Sequence, residues 1–191
     1  MERLSDNYYV GKVLAGETGS FAPLLERYSK QVFALIVKIV GIREDAEELT
    51  QDVFIKAYGS LAQFRADSSF STWVYRIAYN TAISATRKKN NACIPIDETI
   101  ILDVPDESNE TLSGDLDADR HIEYLNRALE QLSPEERAMI TLFYQDNQSM
   151  ENIAAITGLS ETNVKTKMFR IRKKLFVLIK CIKEKSDGIE G

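Results

Sequence analysis

The sequence is poor in the residues that staple or break up a small fold. Its 191 residues include two cysteines, one histidine, four prolines and nine glycines. Cys93 and Cys181 stand far apart with no CxxC or His-Cys spacing, which argues against a disulfide scaffold or a zinc site and for a reducing, cytoplasmic setting. His121 lies in a polar stretch without a motif partner. No apolar run approaches the roughly 20 residues of a membrane span, and MERLSDNYY does not read as a signal peptide. A Gly-rich phosphate loop, a His-carboxylate set and a metal-ligand cluster are also missing, so no enzyme activity, cofactor, metal or small-molecule substrate is expected. Period-2 alternation is nearly absent, which predicts an all-α chain.

Charge is abundant and segregated. Residues 92–126 carry ten acidic side chains against one basic, whereas residues 160–185 carry nine basic against two acidic. A basic helix beyond an acidic middle suggests a nucleic-acid surface beside a segment that shields or imitates the polyanion. The net charge of -5 makes indiscriminate DNA binding unfavourable.

Apolar spacing predicts a short helix over 7–15 that stops at Gly16. A longer one follows over 21–40, burying Leu24, Leu25, Tyr28, Val32, Leu35, Ile36 and Ile39. The next, over 44–58, buries Ala46, Leu49, Val53 and Ala57. Its other face aligns Asp45, Glu48 and Asp52 beside Phe54 and Ile55, read as exposed: a docking face for a basic partner. First-turn carboxylates also suit the helix dipole, which accounts for Glu44 to Glu48 better than for Asp52.

A helix from Phe70 carries two stripes. Phe70, Val74, Ile77 and Thr81 want a core; Trp73, Arg76, Asn80, Ser84 and Arg87 combine an aromatic with phosphate-seeking groups, the composition of a single-strand binding surface. An ordinary amphipathic helix with a half-buried Trp would also satisfy the pattern, and Phe70 and Ile77 suit a core as well as a pocket. After Lys89 the period dissolves into a linker.

The C-terminal part is punctuated. Ile122, Leu125 and Leu129 predict a helix over 119–131, and Ser133-Pro134-Glu135-Glu136 combines an N-cap, a first-turn proline and a reciprocal Glu. Ser149 and Ser160 cap two further helices about Gly158. Ile153, Ala154, Gly158, Leu159, Val164 and Met168 form a helix-turn-helix skeleton. Its second helix presents Glu161, Thr162, Asn163, Lys165, Thr166, Lys167, Arg170, Arg172, Lys173 and Lys174 to a major groove and its phosphates.

REDAEELTQDVFIKAY, then SLAQFRADSSFSTWVYRIAYNTAISATRKK, then LSPEERAMITLFYQDNQSMENIAAITGLSETNVKTKMFRIRKKL together resemble an RNA polymerase sigma factor of the extracytoplasmic-function (ECF) group. The resemblance implies two small helical domains: region 2 over 1–90 and region 4 over 120–183, joined by a flexible acidic linker over 91–119, with a tail over 184–191. It implies core RNA polymerase and promoter DNA as partners, and an anti-sigma factor as a third. Asp45, Glu48, Gln51, Asp52 and Phe54 would dock on the polymerase clamp. Phe64, Arg65, Ser68, Ser69, Trp73, Arg76, Asn80, Arg87 and Lys88 would take the −10 element, and the residues Glu161 to Lys173 named above the −35 element. The linker would thread the polymerase near its RNA path. Ser84, Tyr79 and Phe169 depart from the residues common in the family. A stand-alone helix-turn-helix regulator with an N-terminal sensing or dimerisation domain is the other reading. It would leave the Trp73 stripe and the Asp45/Glu48/Asp52 row unused.

Overall fold

The computed structural model describes residues 4–89 and 118–187, all of whose regular structure is helical. Nearly all of the expected linker, with its apolar clusters Ile94–Ile96 and Ile100–Leu102, lies outside the described residues. The helices are α1 (Asp6–Leu14), α2 (Ala22–Val40), α3 (Arg43–Gly59), α4 (Phe70–Lys89), α5 (Ala118–Glu130), α6 (Pro134–Tyr144), α7 (Met150–Thr157) and α8 (Glu161–Asp187). Two 3-10 turns, Thr18–Phe21 and Leu61–Gln63, precede α2 and follow α3.

Local chemistry sets these boundaries. Ser5 caps α1, its hydroxyl accepting from the Tyr8 N–H at 3.3 Å. Asp6 then receives hydrogen bonds from both Arg27 and Tyr28, tying α1 to α2. Gly41 ends α2 at φ 78, a left-handed conformation that costs a glycine little. The Ser133–Glu136 capping box forms as expected: Ser133 Oγ accepts from Glu136 N–H at 3.2 Å, and Glu136 Oε2 from Ser133 N–H at 2.8 Å.

The first domain packs α2, α3 and α4 against one another. Leu24, Val32, Leu35, Ile36 and Ile39 meet Ala46, Val53 and Ala57, with Phe70, Val74 and Ala78 from α4. Phe70 is 1 % exposed, so it belongs to the core. Two expectations fail here. Leu25 is exposed, because α2 turns the Leu24 side inward. Phe54 is buried at 5 %, because it shares the Val53–Ala57 side of α3, whereas Ile55 stands 69 % exposed.

In the second domain α7 crosses α8 about Gly158, at φ 75. Ile153, Ile156, Val164, Met168 and Ile171 are sealed behind the crossing. α5 lies along α8 and buries Tyr124 and Ala128. That choice of face leaves Ile122 and Leu125, expected inside, 57 % and 41 % exposed.

The domains are in contact: α6 packs on α2 and α7 on α4. Arg137 Nη2 donates to the Ile39 carbonyl at 3.2 Å, and Arg87 Nη2 lies 3.5 Å from Glu135 Oε1. Tyr75 and Tyr79 of α4, outside the predicted apolar stripe, are buried toward Asp146 and Glu135 of the second domain.

Candidate nucleic-acid interface and docking faces

The first turn of α4 is built around Ser69. Its hydroxyl accepts from the Thr72 N–H at 3.1 Å and shares hydrogen bonds of 2.8 Å with Ser71 and Thr72. This −10 candidate is therefore engaged as a helix cap. The loop before it turns at Ala66, whose φ of 57 is a strained conformation for a residue with a side chain. Phe64, Phe70 and Trp73 form an aromatic triad with ring centroids 5.3 to 5.8 Å apart, and Tyr28 adds a fourth ring 5.6 Å from Phe70. Phe64 and Trp73 are the half-buried members, each with part of its surface in solvent. Arg65, Ser68, Arg76, Asn80, Ser84, Arg87 and Lys88 are exposed.

The acidic row of α3 borders this surface. Asp52 lines a groove of about 380 Å³ with Lys56, Asn80, Ser84 and Lys88. Asp45 and Glu48 line an adjacent groove of about 250 Å³ with Leu49, Ala85 and Thr86. The other side of α3 forms a separate apolar groove of about 490 Å³ from Phe21, Leu25, Gln51, Phe54, Ile55 and Tyr58. Phe54 thus contributes the floor of a groove rather than a protruding contact. Leu25, expected in the core, and Tyr58, which no predicted stripe included, both stand exposed along this groove.

On α8, Ser160 caps the helix, accepting from Asn163 N–H at 3.2 Å. Glu161, Thr162, Asn163, Lys165, Thr166, Lys167, Arg170 and Arg172 are exposed. Beyond them the basic residues divide. Arg172 Nε donates to the Tyr144 hydroxyl at 3.0 Å while its guanidinium stacks 5.4 Å from the Phe143 ring. Lys173 is half-buried, its ammonium 4.6 Å from the Phe169 ring. Lys174 turns inward to Glu136, so its expected phosphate contact is corrected: it serves the second domain's packing. Lys165 pairs with Glu161 at 2.6 Å.

Lys167 and Arg170 also line a cleft of about 460 Å³ with Tyr79 and Arg87 from α4 and Glu135 and Glu136 from α6. Burial raises the pKa of the Tyr79 phenol, with Glu135 adding to the effect and Arg87 opposing it. Burial likewise raises Tyr75, reinforced by Asp146. Enclosure pushes Asp146 up to about 6 against the opposing hydrogen bond from Tyr75, and burial with Asp6 pushes Tyr28 up to about 12. Among the described residues no group of His, Cys, Asp and Glu could hold a metal ion, and no helix is long and apolar enough to cross a membrane.

A helix-turn-helix with a basic second helix, beside a helical domain that exposes an aromatic and cationic face, defines a DNA-binding transcription protein. The description "Sigma-70 region 2" matches residues 24–92, and "Sigma-70, region 4" matches residues 122–175. The ECF RNA polymerase sigma-E factor of Escherichia coli K12 is 33% identical over 183 residues, which cover 90% of this chain and 93% of that one. RNA polymerase sigma-H factor of Pseudomonas aeruginosa is 28% identical over 179 residues, covering 88% and 90%. In solved structures, the sigma factor RpoE of Bartonella quintana, in complex with the anti-sigma factor NepR, matches with TM-score 0.58 and 26% identity over 84% of this chain and 96% of that one. The chain belongs to the ECF group of RNA polymerase sigma factors.

Proposed function

We propose that this chain binds core RNA polymerase in the cytoplasm and, without catalysis of its own, directs it to promoters. The α2–α3 and α3–α4 grooves dock the polymerase, α4 with the Phe64 loop opens and holds the −10 strand, and α8 reads the −35 duplex. The observation that carries this is the exposed α4 row Arg76, Asn80, Ser84 and Arg87, which runs beside a half-open aromatic triad while the other α4 faces are packed.

Energy balance makes melting feasible without ATP. Opening one base-pair step forfeits about 1.4 kcal/mol of stacking on average. Stacking a freed base on an aromatic returns roughly 1–3 kcal/mol. Capturing one or two bases at Trp73 and Phe64 therefore offsets the opening of the first steps. An anti-sigma partner, as in the RpoE–NepR complex, is part of the same proposal.

The test is gel filtration of the full chain with core RNA polymerase, with the chain alone on random duplex DNA as control. Co-elution with core and weak DNA binding alone are expected. No co-elution, with tight salt-sensitive DNA binding alone, would instead identify a stand-alone regulator.

A further inference from the structure

The two flanks of α8 offer duplex DNA different groups. Successive helical residues turn by about 100°, so the buried Val164, Met168 and Ile171 place the exposed Thr162 and Thr166 nearly opposite the core. Lys167 and Arg170 fall about a quarter-turn to one flank, where they share a cleft with Arg87 of α4. Lys165 and Arg172 fall about a quarter-turn to the other. A helix seated in a major groove about 12 Å wide has a phosphate backbone along each flank. On the second flank Lys165 is already paired with Glu161, and Arg172 is joined to Tyr144 at the end of α6.

That junction is built from three side chains. Phe143 is half-buried against the core and meets the Tyr144 ring edge-on, with centroids 4.9 Å apart. The Arg172 guanidinium lies across both rings, 5.4 Å from Phe143 and 5.8 Å from Tyr144. Its Nε donates to the Tyr144 hydroxyl at 3.0 Å. The hydroxyl oxygen is thereby used as an acceptor, and its own proton is left to donate. Among the described residues that proton has no acceptor. Tyr144 is 56% exposed, so packing does not account for it. The bond to Arg172 takes one of five guanidinium N–H donors and leaves the cation beside the hydroxyl.

We propose that Tyr144 is a further DNA-contacting residue. Its hydroxyl, oriented by Arg172, donates to a backbone phosphate on the Arg172 flank of α8. Lys167 and Arg170 hold one backbone of the groove, and the Tyr144–Arg172 pair holds the other. A neutral donor positions the duplex without displacing a counterion, whereas the arginine displaces one. This inference rests on α8 as the helix that enters duplex DNA, and it does not require polymerase.

The test is binding of the full chain alone to a fluorescent random duplex at several low salt concentrations, followed by anisotropy. Polymerase is absent, so a failure here is distinct from a failure of co-elution with core. Tyr144→Phe keeps the ring and its stacking and removes only the hydroxyl. It should weaken binding about tenfold, the effect of one hydrogen bond to a charged acceptor, with thermal midpoint and salt slope unchanged. Arg172→Ala should weaken binding and make the plot of log affinity against log salt shallower by about 0.9. Adding Tyr144→Phe to Arg172→Ala should cost little more, because the hydroxyl has already lost the group that orients it. Native affinity in Tyr144→Phe overturns the contact. So does a salt slope that flattens in Tyr144→Phe, which would mean that the hydroxyl acts only by placing Arg172. A native chain that does not bind duplex DNA at low salt overturns it as well.

Discussion

Lys174 Nζ lies 2.8 Å from Glu136 Oε2, the same oxygen that accepts from the Ser133 N–H and closes the α6 capping box. One carboxylate thus starts α6 and anchors the middle of α8. The pair is 14% and 26% exposed, so solvent screens it only in part. Glu136→Ala removes half of the capping box and leaves the Lys174 ammonium enclosed. We expect a loss of about 2 kcal/mol in the second domain, read as a lower midpoint in denaturant with unchanged slope. Lys174→Met should cost less, since it leaves the capping box intact. Equal losses in the two variants would mean that the ion pair, not the cap, dominates.

Trp73 packs on Phe64 and Phe70 at centroid distances of 5.3 and 5.7 Å, yet keeps part of its surface in solvent. Trp73→Ala should therefore impair strand opening while leaving polymerase association intact. Loss of one base stack, roughly 1–3 kcal/mol, corresponds to about 5- to 150-fold less open complex, readable by permanganate reactivity of unpaired thymines. An equal loss of opening and association would make Trp73 a core residue alone.

How much could be read in advance depended on whether a residue answers to its own helix or to another domain. Helix ends were legible, because Ser133, Ser149, Ser160, Gly41 and Gly158 act within a turn of their own position. The helix-turn-helix core was legible for the same reason. Leu25 and Phe54 were misjudged within their own helices, and the other errors lie where the deciding partner is distant in sequence. Ile122 and Leu125 carry the right period, but α5 turns Tyr124 and Ala128 to α8 instead. Tyr75 and Tyr79 interrupt no pattern within α4; only the arrival of α6 and α7 buries them. Lys174 looked like one more phosphate contact because its partner, Glu136, is 38 residues away.

If the α3 grooves dock the polymerase as proposed, the two sides of the helix supply two kinds of docking energy. Ile55 stands at the rim of the apolar α2–α3 groove, whereas Asp52 and Glu48 border the polar α3–α4 grooves. Ile55→Asp should weaken association with core polymerase by at least tenfold at all salt concentrations, with no change in thermal midpoint. Glu48→Lys with Asp52→Lys should abolish association most completely at low salt, where opposite charges attract over the longest range. Isothermal titration at two ionic strengths distinguishes these outcomes. Association that survives both changes would place the docking face elsewhere.

The exposed α8 residues divide by the kind of contact that their positions permit. Lys167 and Arg170 project from its second and third turns and suit phosphates; Asn163, in the first turn beside the Ser160 cap, suits a base edge. Lys167→Ala and Arg170→Ala should weaken −35 binding by polymerase holoenzyme uniformly across sequences. Each lost phosphate contact should make the plot of log affinity against log salt shallower by about 0.9. Asn163→Ala should leave that slope unchanged while relaxing discrimination at one base pair by about 1–3 kcal/mol. A flatter slope for Asn163→Ala, with no loss of discrimination, would reverse the assignment and turn the helix about its axis relative to the groove.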